Sequence, residues 1–146
     1  ALWAQNPPTR LSVLIQKEVA ERLVDREKTS LVLLMAQLAS RSVHIARRVP
    51  PGAFYPPPKV DSAVFCAESL SHEARKERWG IEPERVMLLA KKGFAHPRKM
   101  LFSNLGLSAE QKERLVQAGY SPTVRAEALS VEEWVAMAKA LEASLG

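Results

Sequence analysis

The sequence is short of several residue types, and each shortage argues against a class of protein. A single cysteine, Cys66, cannot form an internal disulfide, which is compatible with a reducing compartment, and we expect a cytoplasmic protein. The three histidines lie 28 and 24 residues apart without paired Cys/His spacing, so we expect no metal site. The longest apolar run, Leu31–Ala36, is too short to cross a bilayer, and we expect no membrane contact.

Glycine and acidic residues are scarce in informative places. The six glycines include no G-x-G pair, so the chain has no Gly-rich turn of the kind that cradles a nucleotide cofactor. Acidic residues are missing between Glu84 and Glu110, where five basic residues fall: Arg85, Lys91, Lys92, Arg98 and Lys99. With a formal net charge of +5, this stretch permits a nucleic-acid partner, although such a run is also typical of a solvated helix face.

Proline, in contrast, is concentrated in one segment. Five of the ten prolines lie between Pro50 and Pro58, and each fixes its own φ and removes a backbone donor. The pattern predicts a stiff extended loop that holds Phe54 and Tyr55 in its middle. An apolar ring on a rigid loop is suited to stacking on a planar ligand, because little entropy remains to be lost. The alternative is that Phe54 fills the core.

The first half of the sequence reads as strands alternating with helix. Leu11–Ile15 is short and apolar, as in a buried strand, and Gln16–Asp25 has the periodicity of an amphipathic helix. We predict a further strand from about Val32 to Val49, which could begin as a helical turn, and a strand at Ser62–Glu68. The last two strands, joined by the proline loop, are expected to pair antiparallel.

The second half is rich in helix-forming residues. We predict helices over Glu84–Phe94 and Arg98–Leu105, followed by two that open with capping boxes at Ser108–Gln111 and Ser130–Glu133. The last helix carries one apolar stripe, which we assign to a core: Val131, Trp134, Val135, Ala138, Leu141 and Leu145.

Four segments carry a resemblance to one family. Phe54–Ser62 reads Phe-Tyr-Pro-Pro-Pro-Lys-Val-Asp-Ser and resembles the Phe-x-Pro-x-Pro-Lys-Val-x-Ser signature of the ribosomal RNA adenine dimethyltransferases. Gln16–Leu23 is similar to the family's segment after its fifth strand, and Val49–Phe54 to its approach to the signature. Arg125–Val131 resembles the link into the family's last helix. These segments fall in the family's order.

The resemblance implies an α/β fold joined to an all-α part. Residues 1–68 would be the C-terminal part of a class I (Rossmann-like) methyltransferase sheet, and residues 69–146 a small helical rRNA-binding domain. It also implies transfer of methyl groups from S-adenosylmethionine to adenosines of small-subunit rRNA during ribosome biogenesis. The cofactor would be bound mainly by residues absent from this chain, so we expect the fragment alone to be inactive. The partner would be small-subunit rRNA or the immature small subunit, and the protein a monomer.

The resemblance also assigns site residues. Phe54 would form one face of the pocket for the target adenine, and Pro56 and Pro58 would hold that face in place. Lys59 would contact phosphate or brace the loop, while the alternative is a solvated lysine. Phe94–Lys99 is similar to the family's Phe-x-x-Arg-Arg-Lys stretch, with proline where a basic residue is common. The RNA-binding candidates in and beside this stretch are Lys91, Lys92, Arg98 and Lys99.

The sequence also allows three alternative interpretations. Asn6-Pro7-Pro8 is similar to the Asn/Asp-Pro-Pro-Tyr motif of adenine-N6 methyltransferases, but Thr9 stands in place of the stacking ring, so we interpret it as a turn before a strand. The chain could also be a non-catalytic rRNA-binding or ribosome-assembly module. A helical interaction domain unrelated to RNA would fit the second half but would leave the Phe54–Ser62 segment unexplained.

Overall fold

A computed structural model describes residues 2–4, 6–25 and 27–143. Within these residues the chain forms three strands and seven α-helices. In chain order they are β1 (Arg10–Gln16), α1 (Lys17–Val24), α2 (Leu31–Leu38), β2 (Ser40–Val49), β3 (Ser62–Ser69), α3 (His72–Trp79), α4 (Pro83–Gly93), α5 (Leu101–Leu105), α6 (Ala109–Gln117) and α7 (Val131–Ala143). None of the described helices has the length and apolar character needed to cross a membrane.

The three strands form one sheet with β3 in the middle. The sheet order is β1-β3-β2, and β3 runs antiparallel to both neighbours. Phe65 of β3 lies opposite Val13 of β1 on one side and Ile45 of β2 on the other. The expected antiparallel pairing of the two strands around the proline loop is therefore confirmed, and β1 and β2 run parallel to each other.

Two hydrophobic cores stabilise the molecule. The smaller core lies on one face of the sheet, where α1 covers it: Ala20, Ala36, Ala63, Phe65 and Ala67. The larger core lies among the helices of the second half and centres on the fully buried Trp134 of α7. Helix α2 contributes to both, since Ala36 packs in the sheet core while Leu33, Leu34 and Leu38 pack in the helical core. Helix α2 thus packs in the helical core although it precedes residue 69. The predicted division of the chain into residues 1–68 and 69–146 stays a prediction.

The strand predicted from about Val32 is wrong over its first part. Leu31–Leu38 is a helix, and the strand begins only at Ser40. A helix that packs against two cores is apolar on most sides, so its apolar residues show no 3.6-residue period. The start of this helix is nevertheless marked in the sequence, because the Ser30 hydroxyl accepts the backbone N–H of Leu33 at 3.2 Å.

The predicted helices of the second half are confirmed with small shifts. The capping box at Ser108 is present, and Ser130 and Glu133 also bond reciprocally, at 3.3 and 3.1 Å. The helix predicted from Arg98 begins only at Leu101, because a tight turn occupies the residues after Pro97. The stripe of α7 is buried from Val131 to Leu141, and Leu145 lies outside the described residues.

A buried arginine joins the first residues to the helical half. The side chain of Arg75 in α3 is fully buried, and its guanidinium lies 5.6 Å from the ring centre of Trp3. Its Nε donates to the carbonyl of Leu70 at 3.1 Å, and its Nη2 donates to those of Leu2 and Ala4. Burial lowers the pKa of Arg75, and the nearby Glu84 carboxylate acts in the opposite direction. The contacts fix residues 2–4 on α3.

Candidate nucleic-acid interface

The proline loop connects the end of β2 to the start of β3. Its first part is not extended as predicted, because Pro51–Ala53 forms a 3-10 turn closed by bonds from Ala53 N to Pro50 O and from Phe54 N to Pro51 O, at 3.1 and 3.2 Å. Pro51, Gly52 and Ala53 have no β-branched side chain, which allows this tight turn before the chain becomes extended. Phe54 itself is extended, with φ −116° and ψ 155°. The Tyr55–Pro56 peptide bond is cis.

An open apolar groove of about 610 Å³ runs beside this loop. The half-buried ring of Phe54 lies on one side, with the prolines of the loop, and the end of β1 and start of α1 form the other side. That second wall exposes apolar surface, because Leu14 is 49% exposed and Val19 38% exposed. The complete lining is Leu14, Ile15, Gln16, Val19, Phe54, Tyr55, Pro56, Pro58 and Ser62.

This groove can accept a flat, apolar-faced ligand against Phe54. Phe54, Pro56 and Pro58, which the sequence grouped, do lie together, and Lys59 is exposed on the same loop. Sequence reasoning missed Leu14 and Val19 as the opposite wall. The available signal was that β1 alternates, so Leu14 had to face away from the sheet core that buries its neighbours Val13 and Ile15.

The Asn6-Pro7-Pro8 segment lies far from this groove. It precedes β1, where the Pro8 carbonyl accepts the Ser69 hydroxyl and the Thr9 carbonyl accepts the Ser69 N–H at 3.1 Å. The groove lies at the other end of β1, and a seven-residue strand separates the two by roughly 20 Å. The segment therefore anchors the end of β3 and does not line the Phe54 groove.

Residues 94–100 connect α4 to α5 and are called the basic turn below. Two side chains hold this turn by hydrogen bonds to its backbone. Arg125 donates from Nη1 to the carbonyls of Arg98 and Pro97 at 2.9 and 3.4 Å. Asn104 donates from Nδ2 to the carbonyls of Gly93 and His96 at 2.8 and 3.0 Å. These bonds fix the course of the turn without engaging its basic side chains, so the charges of Arg98 and Lys99 remain exposed. Arg125 was missed from the sequence, although it opens one of the four resembling segments.

The four predicted RNA-binding residues are all exposed but do not share one cavity. Lys99 lines a cleft of about 510 Å³ between α1, the residues before α2 and the basic turn. The α1 wall of this cleft is partly acidic, since Glu18 and Glu21 lie on it. Lys91 and Lys92 end α4, and Lys92 lines a separate groove beside Glu142. The basic turn is therefore a surface with exposed cations, not a closed anion pocket.

The part of the chain that the structure describes has no group of three or more His, Cys, Asp or Glu residues arranged to hold a metal ion. The described groove and basic turn present an apolar surface and exposed cations. Proteins that bind unstacked nucleotides combine an apolar stacking surface with exposed cations.

Comparison with known proteins decides the family. The family model described as "Ribosomal RNA adenine dimethylase" matches residues 2–143. The chain belongs to the ribosomal RNA adenine dimethylase family. Within it, the chain is 39% identical to ribosomal RNA small subunit methyltransferase A of Rippkaea orientalis, over 94% of this chain and 52% of the relative. It is 38% identical to the protein of the same name from Ruegeria sp., over 90% of this chain and 47% of the relative.

The family assignment agrees with the folds of solved methyltransferases. The crystal structure of the 23S rRNA methyltransferase ErmE matches 96% of this chain and 58% of its own, with 21% identity and a TM-score of 0.63. A dimethyladenosine transferase from Plasmodium falciparum matches 79% of this chain and 41% of its own, with 20% identity and a TM-score of 0.57. The chain spans about half the length of the curated relatives it matches.

Proposed function

We propose that these 146 residues are the C-terminal part of an S-adenosylmethionine-dependent rRNA adenine N6-dimethyltransferase that acts on small-subunit rRNA. The observation that carries the proposal is the open apolar groove of about 610 Å³ that Phe54 lines together with Leu14 and Val19. The names of the curated relatives support small-subunit rRNA as the substrate. The enzyme would work as a cytoplasmic monomer on the immature small subunit during ribosome biogenesis.

The sheet supports its place at the end of a class I methyltransferase fold. An antiparallel strand, β3, lies between β1 and β2, which run parallel to each other, and this arrangement is typical of the last three strands of such a sheet. The outer edge of β1 has no partner among the described strands. Further parallel strands would continue the sheet from this edge. On this proposal residues 1–68 complete the catalytic sheet, and residues 69–146 form the helical rRNA-binding domain.

The residues present do not form a cradle for S-adenosylmethionine. A class I cradle needs a glycine-rich turn between a strand and a helix. The described glycines with positive φ, Gly80, Gly106 and Gly119, all lie at the C-terminal ends of helices instead. We therefore place the cofactor site mainly outside these residues and assign to this chain the binding of the base.

Phe54 would act by orienting the target base. An adenine must leave its stack before its amino group becomes accessible, and an aromatic face replaces the stacking that is lost. The loop prolines Pro56 and Pro58 limit the freedom of the ring before binding, so less entropy is lost on binding. The amine acts through its lone pair, so orientation can supply much of the rate without a dedicated base.

Exposed cations would supply affinity for the RNA backbone. Lys59 lies on the loop beside the base groove, and the basic turn offers Arg98 and Lys99, with Lys91 and Lys92 at the end of α4. Phosphate contacts of this kind give affinity that falls with salt and carry little sequence information. Recognition would then depend on RNA shape and on the extruded adenine.

The test is the Phe54→Ala variant of the native-length protein. Methyl transfer from labelled S-adenosylmethionine to immature small subunits should fall at least tenfold in kcat, while RNA affinity changes less than threefold. Phe54→Tyr keeps a stacking ring and serves as the matched control, so it should retain most of the turnover. Unchanged turnover of Phe54→Ala would remove Phe54 from the base pocket.

A non-catalytic rRNA-binding or ribosome-assembly module is the second candidate. The observation in its favour is that these residues lack a glycine-rich cofactor turn. The same assay separates the two functions. A native-length protein that binds small-subunit rRNA but transfers no methyl group would support the module and overturn the enzyme.

A further inference from the structure

We propose that Tyr55 binds a second nucleotide, adjacent to the target adenine in the RNA, by stacking its ring on that base. The proposal rests on the proposed function and adds a subsite to it. Phe54 and Tyr55 would then hold two successive, unstacked nucleotides of one single-stranded RNA segment.

The first observation is the complete exposure of Tyr55. Its exposed fraction is 100%, whereas the exposed fractions of the other exposed large hydrophobic residues described lie between 38% and 63%. The ring therefore packs on no other part of the described protein. A tyrosine ring can bury 150–250 Å² when it is covered, so full exposure leaves a large apolar surface available to a ligand.

Phe54 and Tyr55 differ in their burial, and we assign a different base to each. Phe54 is extended, and successive side chains of an extended chain project to opposite sides. Phe54 is half-buried on the inner side of the groove, and Tyr55 contributes to the lining from the exposed rim. A base stacked on Tyr55 would therefore be a different base from the one against Phe54.

The surrounding charge favours RNA over a protein as the occupant. From Arg47 to Ser62, the end of β2 and the loop, there are three cations, Arg47, Arg48 and Lys59, and one carboxylate, Asp61, while the adjacent start of α1 adds Lys17, Glu18 and Glu21. Arg47 and Lys59 are exposed, while Arg48 lies 3.3 Å from Glu21. Proteins that bind single-stranded nucleic acid combine aromatic platforms with nearby cations in this way. The prolines that follow Tyr55 limit the entropy lost on binding.

The first experiment compares three variants of the native-length protein: Tyr55→Ala, Tyr55→Phe and Val116→Ala. Loss of one base–aromatic stack should raise the KM for small-subunit rRNA about 5- to 150-fold in Tyr55→Ala, with kcat within about twofold. Tyr55→Phe keeps the stacking face and should stay within about threefold of wild type. Val116→Ala, a truncation of an exposed side chain on α6, should have no effect.

The outcomes separate this inference from the proposed function. If wild type transfers methyl groups but the KM of Tyr55→Ala is unchanged, only the Tyr55 subsite is overturned. If Tyr55→Ala loses binding to immature subunits but not to protein-free rRNA, Tyr55 contacts a ribosomal protein, and the subsite is again overturned. If wild type transfers no methyl group, the proposed function fails.

A second experiment tests the contact itself and does not depend on turnover. Small-subunit rRNA carrying 5-iodouridine next to a target adenosine is irradiated with the protein, and the cross-linked residue is located by mass spectrometry. A cross-link on Tyr55 that disappears in Tyr55→Ala supports the subsite. Cross-links confined to other residues would overturn it, whether or not the protein proves to be a methyltransferase.

Discussion

Gly93 and Trp134 lie so close together that Gly93 cannot carry a side chain without movement. A Cβ atom placed on Gly93 would be 2.6 Å from Cη2 of Trp134 and 2.7 Å from Cδ1 of Leu101. The Trp134 ring is fully buried and stacks on Phe94, with 5.6 Å between the ring centres. The last turn of α4 therefore packs directly against the indole ring of Trp134, which lies at the centre of the helical core.

This contact predicts that Gly93→Ala is destabilising although alanine is the better helix former. The added methyl overpacks the core, and we expect the free energy of unfolding to fall by about 1–3 kcal/mol. Urea denaturation measures this change in the free energy of unfolding. Gly52→Ala is the control, because nothing lies within 4 Å of a Cβ at Gly52. Equal stability of the two variants would show that Trp134 moves aside without cost.

The buried guanidinium of Arg75 predicts a second stability effect. Arg75→Met keeps much of the volume but removes the bonds to the carbonyls of Leu2, Ala4 and Leu70. Bonds to a charged donor are strong, and the Leu70 carbonyl loses its partner in a buried site, so we expect a loss of about 2–4 kcal/mol in urea denaturation. Arg41→Met, at an exposed position, should change stability by less than about 0.5 kcal/mol. A loss as small as that of the control would contradict this account of Arg75.

The hydrogen bond of the Tyr120 hydroxyl predicts that the free energy of unfolding falls at high pH. It donates to the carbonyl of Glu133 at 3.0 Å, and burial, followed by the Glu133 carboxylate, raises the pKa of Tyr120 above 10.0. A raised pKa in the folded state means that ionisation favours unfolding, so this contribution is complete below pH 10 and is lost as the pH rises further.

The Tyr120→Phe variant isolates this contribution from the titration of lysines. Below pH 10 the variant should be less stable than wild type by about 0.5–1.5 kcal/mol, because the hydrogen bond is missing. The difference between the two proteins should shrink as the pH is raised from 9 to 11 in parallel urea titrations. A difference that stays constant over this range would rule out the raised pKa.

We predict that removing a cation of the basic turn weakens the salt dependence of RNA binding. Each of Lys99→Ala and Arg98→Ala should reduce the slope of log K against log salt by about 0.7–0.9, the share of one phosphate contact. Lys91→Ala and Lys92→Ala test the other two proposed contacts in the same way. Lys112→Ala, an exposed lysine on α6, is the control and should leave the slope unchanged. A slope that none of the four substitutions alters would leave these cations as a solvated surface.

The features predicted correctly from the sequence are those that depend on local chemistry. Prolines predicted the loop around Phe54, short apolar runs predicted β1 and β3, and the capping boxes at Ser108 and Ser130 predicted the starts of α6 and α7. Each of these signals lies within a few residues of the feature that it specifies. The fold of the segment then follows from propensity and capping alone.

The features missed depend on contacts between distant segments. Helix α2 lacked a helical period because it packs in two cores, and the second core is built mostly from residues after Ser69. The wall formed by Leu14 and Val19 becomes visible only once the loop from β2 folds back beside β1. Arg125 acts on backbone carbonyls 27 and 28 residues away, so no pattern around it identifies its partners.

The position of β3 in the sheet also constrains the order in which the chain can fold during synthesis. β3 is the last of the described strands to be made, yet among these strands β1 and β2 pair only with it. A nascent chain that ends before Ser62 therefore holds two strands with no partner between them, and the sheet can close only after Ser69 has been added. Because synthesis adds only about 5–20 residues per second, β1 waits seconds for β3, and its unpaired edge is open to incorrect strand pairing for that time.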